Sequence, residues 1–542
     1  MRNSYGSWGA YSFEGDNFVL EIYPPKNASA SLPRKRVLIV NVYFADSRLP
    51  TRQTTKIPQA VGPIFLAGAF ARELCEVRCY TELASGPLED ERLLSWPDML
   101  VLTGLTNSFD RMLHLTAYAR TKNPKVVVVA GGPTVRALPQ LARKVFDYAC
   151  QGDIEELREV ITEVFGRAYV ADRMIPRYDL AYWLGRIGYV ETTRYCNFRC
   201  SFCSLTAEGR PYQPYDLDYI RGQILASGKR NRMFFLDNNF YGSDRHHFEA
   251  RVKLIKEMRD AGYFRYWGTL VTNDFFRREG NLQLLKEAGC ELLFSGLESF
   301  DNDWLRNFHK LQNTKAPQVE MIKKSLNAGV VFAYGLMLDV TSRSVSDLRR
   351  ELQFITGTPE ITLPSFITLS IPLLGTPYFF DCVQQRTILP NTKLRDMDGT
   401  TVLQTPMDSL DEVVKFVRDI QNLTGFRARI MKHAVGFTAL YGSELTTMQM
   451  AFALGSDLMI CAQSLTQSFS SLGWLRPRKP RTFISSTEPL DHMYTPLFRV
   501  DSRFESYFKP TMVTDECGEL HEDMICSGLL QLNAAPLAAA RA

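Results

Sequence analysis

The chain lacks several things whose absence narrows what it can be. No stretch approaches the roughly eighteen consecutive apolar residues of a membrane span. The opening residues M-R-N-S-Y-G-S-W-G-A-Y have neither the basic start nor the continuous apolar core of a signal peptide. A cytoplasmic protein with no membrane partner is therefore expected. There is no basic tail or stripe: 63 Lys and Arg are spread along the chain against 59 Asp and Glu, for a formal net charge of +4. That balance argues against nucleic acid as a partner. Neither G-x-G-x-x-G behind the first strand-like run nor G-x-x-x-x-G-K-[ST] occurs, so dinucleotide and P-loop readings are poor. No internal repeat is visible, and the one biased tract is the Ala-rich end at 534–542. A disulfide framework is missing too. Eleven cysteines is an odd number, and Cys75, Cys79, Cys150, Cys290, Cys382, Cys461, Cys517 and Cys526 are scattered. Thiolate ligands in a reducing compartment are the better reading of the rest.

What is present is 542 residues of globular composition, 45% hydrophobic, too many for one ordinary core. From Arg36 to about Phe165, apolar runs at 36–42, 77–82, 98–104 and 125–133 alternate with helical patterns such as 64–74 and 111–120. Such runs read as strands buried on both faces of a parallel, doubly wound Rossmann-like sheet. Its ligand edge lies at the strand C-termini, which carry Thr103-Gly104-Leu105-Thr106 and Gly131-Gly132-Pro133-Thr134. Missing side chains there let a ligand approach the backbone.

After a connector near I-P-R-Y-D-L at 175–180, six more strand-like runs, at 187–193, 233–240, 266–273, 290–299, 330–339 and 366–372, alternate with helical patterns. They predict a partial (β/α)6 barrel with its site at the strand C-termini. The expected organisation is an extension over 1–35, the doubly wound domain over 36–170, a linker over 171–186, the partial barrel over 187–381 and a mainly helical, substrate-shaping region over 382–542. In that last region a capping box from Ser409 to Glu412 starts one clear amphipathic helix. His433, Tyr441, His492 and Tyr494 are polar candidates there, each more often core or surface than ligand.

Just after the first barrel strand stands R-Y-C-N-F-R-C-S-F-C, which places Cys196, Cys200 and Cys203 at spacing C-x3-C-x2-C. Three thiolates suit a cubane iron-sulfur cluster that keeps one iron open. A zinc knuckle is the alternative, but it needs a nearby fourth ligand, and residues 204–240 contain neither Cys nor His. With the aromatic Phe202 before the third cysteine, the segment resembles the radical S-adenosylmethionine (SAM) superfamily. The resemblance continues through F-F-L-D-N-N-F at 234–240, F-S-G-L-E-S at 294–299 and P-L-L-G-T-P at 372–377, which look like strand motifs of the family's cobalamin-associated, class B branch. It implies that Cys196, Cys200 and Cys203 ligate a [4Fe-4S] cluster. It further implies that Phe202, Asp237, Asn238, Ser295, Glu298 and Tyr334 hold SAM, while His309 and Lys310 read as a solvated helix face. A doubly wound domain ahead of the barrel is similar to that branch's cobalamin-binding domain, which implies cobalamin over Thr103, Gly104, Leu105, Gly131, Gly132 and Pro133. The D-x-H-x-x-G motif that supplies a lower cobalt ligand elsewhere is absent.

The family chemistry implied is methyl transfer from methylcobalamin to an unactivated carbon, or to phosphinate phosphorus, of a small biosynthetic metabolite. A 5'-deoxyadenosyl radical would initiate it, and an electron donor such as flavodoxin or ferredoxin would feed it. Cyclisation, ring contraction or oxidation with the same cofactors is the nearest alternative. A cobalamin or iron-sulfur sensor is the alternative from another class, and no DNA-binding motif supports it.

Overall fold

The computed structural model describes residues 32–44, 60–455, 483–485, 490 and 492–534. The extension over 1–35 and the Ala-rich end lie largely outside these residues, as do Cys461 and the His492 side chain. Five parallel strands form the first sheet: β1 (Lys35–Val42), β2 (Cys75–Thr81), β3 (Met99–Gly104), β4 (Val127–Gly131) and β5 (Tyr148–Cys150), in the order β2-β1-β3-β4-β5. The β-branched runs alternate between two cores. Leu38, Val40, Leu100, Leu102, Val128 and Ala130 pack with helix Phe109–Lys122 on one side. Val37, Ile39, Met99, Val101 and Val129 pack with helix Ile154–Val164 on the other. Both faces are therefore covered, which is what a parallel sheet of Val, Ile and Leu requires.

The second sheet contains β6 (Ile187–Val190), β7 (Arg232–Phe235), β8 (Tyr266–Leu270), β9 (Cys290–Glu298), β10 (Val331–Leu338) and β11 (Phe366–Leu369). All six are parallel and adjacent in chain order. With helices between successive strands this is the expected partial barrel, with β6 and β11 as its open edges.

Two details differ from the sequence reading. The helix expected over 64–74 spans only Gly62–Ala67. Its path stops at Gly68, where a Cβ would lie 2.5 Å from the Ile175 carbonyl oxygen in the connector to the barrel. The region after 381 does not pack as one body either. Val413, Phe416, Ile430, Phe437 and Tyr441 join the barrel core, whereas Cys382, Leu394, Leu403, Phe504, Phe508, Val513 and Met524 join the core of the N-terminal sheet. The polar candidates in this region serve the packing. His433 Nε2 meets the Ile361 carbonyl at 2.9 Å and Tyr441 donates to the Glu360 carbonyl at 2.8 Å. Tyr494 donates to the buried Asp110 carboxylate at 2.5 Å.

Candidate functional site

The loop leaving β6 carries the three cysteines, with Cys200 buried and Cys196 and Cys203 half-buried. It ends where the short helix Ser204–Glu208 begins at Cys203. Each sulfur has a different source of N–H donors. Near Cys196 and Cys203 the backbone amides of Phe198 and Leu205 favour the thiolate, while the Thr206 N–H donates to the Cys203 carbonyl at 2.9 Å. Cys200 instead takes the side-chain amide of Gln312, with Nε2 3.4 Å from Sγ. Burial pushes the Cys196 thiol up to about 11, against the pull of its backbone donor and of Lys310. Buried thiols surrounded by donors and one cation form a set that a positively charged metal cluster satisfies. Among the described residues no three His, Cys, Asp or Glu side chains converge tightly enough to hold a metal ion. One zinc would need its thiolates about 4 Å apart, whereas a cubane spreads them over its corners.

Asp237 lies just past β7 and is fully buried. Its carboxylate accepts from the Thr192 and Thr193 backbone N–H groups at 2.8 and 2.6 Å and from the Thr192 hydroxyl at 2.6 Å. Arg251 stands 3.8 Å away and donates to the same Thr192 hydroxyl. Asp237, expected to hold SAM, thus lies against the cysteine loop. Its oxygens are committed to the loop that presents Cys196, and burial holds its carboxyl above the usual range despite Arg251. Asn238 is exposed at the strand end. Its neighbour Asn239, which sequence reading passed over, is fully buried and donates to Asn197 Oδ1 at 2.8 Å, inside the cysteine loop.

Ser295 and Tyr334, also expected at SAM, lie next to each other in the sheet. They are register partners on β9 and β10, and period-two alternation puts them on the face of Leu293 and Leu297. Both are buried, and the Tyr334 hydroxyl donates to the Thr362 carbonyl at 2.9 Å. The opposite face carries Phe294 stacked on Phe366, with Gly335 beneath the Phe366 ring. A bulge between Gly296 and Glu298 and a left-handed Glu298 (φ 65°) swing the Glu298 carboxylate over Gly296, where a Cβ would clash with it.

Glu298 accepts from Lys310 at 2.7 Å, and the Lys310 ammonium lies 5.4 Å from the centre of the Phe202 ring. Lys310 is 6% exposed, so it is no solvated helix residue. Burial opposes its charge, but Glu298 and the nearby cysteines hold its pKa above the ordinary value. Phe202 packs against Trp304 and Phe308, and the Phe308 carbonyl accepts from the Ser201 N–H at 3.1 Å. The segment after β9 therefore forms one wall of the cysteine site.

Another wall comes from the first sheet. Tyr195 precedes Cys196 in a left-handed conformation (φ 60°) and donates its hydroxyl to Asp153. Arg194 pairs with Glu155 at 2.7 Å, Arg210 with Asp153 at 3.5 Å, and Arg136 with Glu208. Asp153 and Glu155 follow β5, so the edge of the first sheet is tied to the cysteine loop. Along that edge the C-terminus of β3 brings Thr103, Gly104 and Leu105 beside Gly131, Gly132 and Pro133 at the end of β4. Gly132 has φ 118°, and a Cβ on it would lie 2.8 Å from the Gly104 carbonyl oxygen. Leu105 is 69% exposed. Close-set glycine backbones beside an exposed apolar side chain leave this strand edge open to approach.

Residues 190–352 match the radical SAM superfamily. The chain is 23% identical over 285 residues to the hopanoid C-2 methylase of Rhodopseudomonas palustris (strain TIE-1), a match covering 48% of this chain and 53% of that protein. It is 27% identical over 197 residues to the bacteriochlorophyllide d C-12(1)-methyltransferase of Chlorobaculum tepidum, covering 34% and 41%. The chain thus spans about half the length of the curated relatives it matches. In fold it resembles the cobalamin-dependent SAM radical enzyme OxsB solved with aqua-cobalamin and SAM bound, with a TM-score of 0.52 at 14% identity over 94% of this chain and 81% of that one.

Proposed function

We propose that the chain is a radical SAM methyltransferase acting on an unactivated carbon, or on phosphinate phosphorus, of a small biosynthetic metabolite, on the match of residues 190–352 to the radical SAM superfamily and the likeness of its fold to a cobalamin-dependent radical enzyme. The observation that carries this reading is the direct tie between the cysteine loop and the edge of the first sheet, Tyr195 and Arg210 on Asp153 and Arg194 on Glu155. When bound, a [4Fe-4S] cluster with SAM supplies a hydrogen-abstracting radical, and cobalamin supplies the methyl group.

The protein's own part is placement. Cys196, Cys200 and Cys203 would hold three irons and leave the fourth for SAM. Glu298 and Lys310 would face SAM, with Phe202 packed against the wall beside them. Thr103, Gly104, Leu105, Gly131, Gly132 and Pro133 would carry the corrin. Phe294, Phe366 and Gly335 give the sheet face beyond Gly296 an apolar surface. A low-potential donor of the flavodoxin or ferredoxin type would reduce the site, in the cytoplasm.

The test is iron and corrin content of anaerobically reconstituted protein, followed by incubation with SAM and candidate acceptors. About four irons and one corrin per chain support the reading. Four irons without corrin would leave a radical enzyme and remove cobalamin as methyl donor. A substitution separates the two cofactors. Gly132→Val forces a side chain into a left-handed backbone beside the Gly104 carbonyl, a strain of about 1–3 kcal/mol. It is expected to lose corrin absorbance while iron content stays at the wild-type value, measured on the same sample.

A further inference from the structure

We propose that Gln312 is a positioning residue that sets the reduction potential of the cluster by donating a hydrogen bond to the Cys200 sulfur. This rests on the reading that the three cysteines hold a cluster. Beside the Cys196 and Cys203 sulfurs the polar groups that favour the thiolate are backbone amides of their own loop, at Phe198 and Leu205. No substitution of those residues other than proline removes such donors. Cys200 differs, because its donor is a side chain brought in from the segment after β9, with Gln312 Nε2 3.4 Å from Sγ.

Gln312 is 4% exposed, and its neighbours fix it in place. Residues 311–314 form a 3-10 turn, Asn313 Nδ2 donates to the Gly296 carbonyl at 2.9 Å, and the Phe308 carbonyl holds Ser201 next to Cys200. An amide donor in a dry setting stabilises negative charge on sulfur. Adding one electron to a cluster ligated by three thiolates increases that charge, so the donor favours the reduced state. Lys310 acts in the same direction on all three cysteines from two residues away. Gln312 reaches Cys200 while Lys310 is the partner of Glu298, so the effect of Gln312 on potential is separable from any effect on SAM binding.

The experiment is a redox titration of reconstituted holoenzyme, with dithionite as the one-electron reductant and the reduced-cluster EPR signal as readout, beside an iron assay. Gln312→Met matches the side-chain length without the donor, and Gln312→Asn keeps an amide but withdraws it by one methylene. Both are expected to retain wild-type iron. Gln312→Met is expected to lower the reduced-to-oxidised ratio at the wild-type midpoint about tenfold, equivalent to ~59 mV for a one-electron couple. Gln312→Asn should shift it the same way by less. Full iron with a wild-type midpoint in both variants overturns the proposal. So does loss of iron from both, because a contact that only tunes potential is dispensable for assembly. If wild-type protein itself assembles no cluster, the functional reading fails rather than the role of Gln312.

Discussion

Cys200→Ala is expected to strip the reconstituted protein of iron and abolish SAM cleavage. Cys200 is the most buried of the three thiols, 7% exposed, and it sits at the centre of the loop. Its carbonyl accepts from the Cys203 N–H at 3.1 Å and from the Thr206 hydroxyl at 2.8 Å. Alanine keeps that carbonyl and therefore the loop's shape, so the loss is chemical rather than conformational. Removing even an outer partner of a metal ligand lowers affinity about 10–100-fold. Removing one of only three ligands should exceed that range and take iron from about four per chain to near zero. Two ligands cannot hold the cubane in place. The measurements are iron content and 5'-deoxyadenosine release, with circular dichroism confirming the fold. Full cleavage by Cys200→Ala would sink the assignment.

The architecture was legible because the signals are local. Runs such as V-L-I-V-N-V and V-V-V-V-A-G carry their own strand preference, their spacing leaves room for one helix each, and three cysteines within eight residues announce themselves. The surroundings of the cysteines were not legible, because they are assembled from distant segments. Arg251 reaches Thr192 from 59 positions away, and Glu155 reaches Arg194 across 39. Neither distance leaves a periodic trace.

Ser295 and Glu298 illustrate a subtler limit. They stand three apart in one strand motif, so regular alternation would put them on opposite faces. The bulge and the left-handed turn at Glu298 then bring its carboxylate over Gly296 and onto Lys310. The enclosure of Lys310 is hidden from the sequence for a related reason. A His-Lys pair after a short helix looks solvated in isolation, and only the fold shows the ammonium enclosed by Glu298 and the Phe202 ring. Gln312 carried no sequence signal at all.

Asp237→Ala should be the most destabilising single change near the site. Asp237 and Arg251 are both fully buried, 3.8 Å apart, with the Thr192 hydroxyl accepting from the arginine and donating to the carboxylate. Removing one member of such a pair leaves an uncompensated charge and typically costs about 3–5 kcal/mol. The backbone N–H groups of Thr192 and Thr193 lose their acceptor as well. Asp237→Asn keeps an oxygen for those N–H groups but turns an amide toward groups that already donate, so a smaller loss, about 1–3 kcal/mol, is expected.

Arg251→Met added to Asp237→Ala removes the stranded charge and should recover part of the stability without restoring the acceptor for the loop. Unfolding in urea measures the first effect and iron content the second. The loop enters Cys196 three residues after Thr193, so iron affinity should stay low in the double variant even as stability returns. If Asp237→Ala unfolds within 1 kcal/mol of wild type, or if iron returns along with stability in the double variant, Asp237 does not position the cysteine loop. Recovery of stability alone would separate the two tasks of this carboxylate, balancing Arg251 inside the barrel and holding the backbone that leads to Cys196.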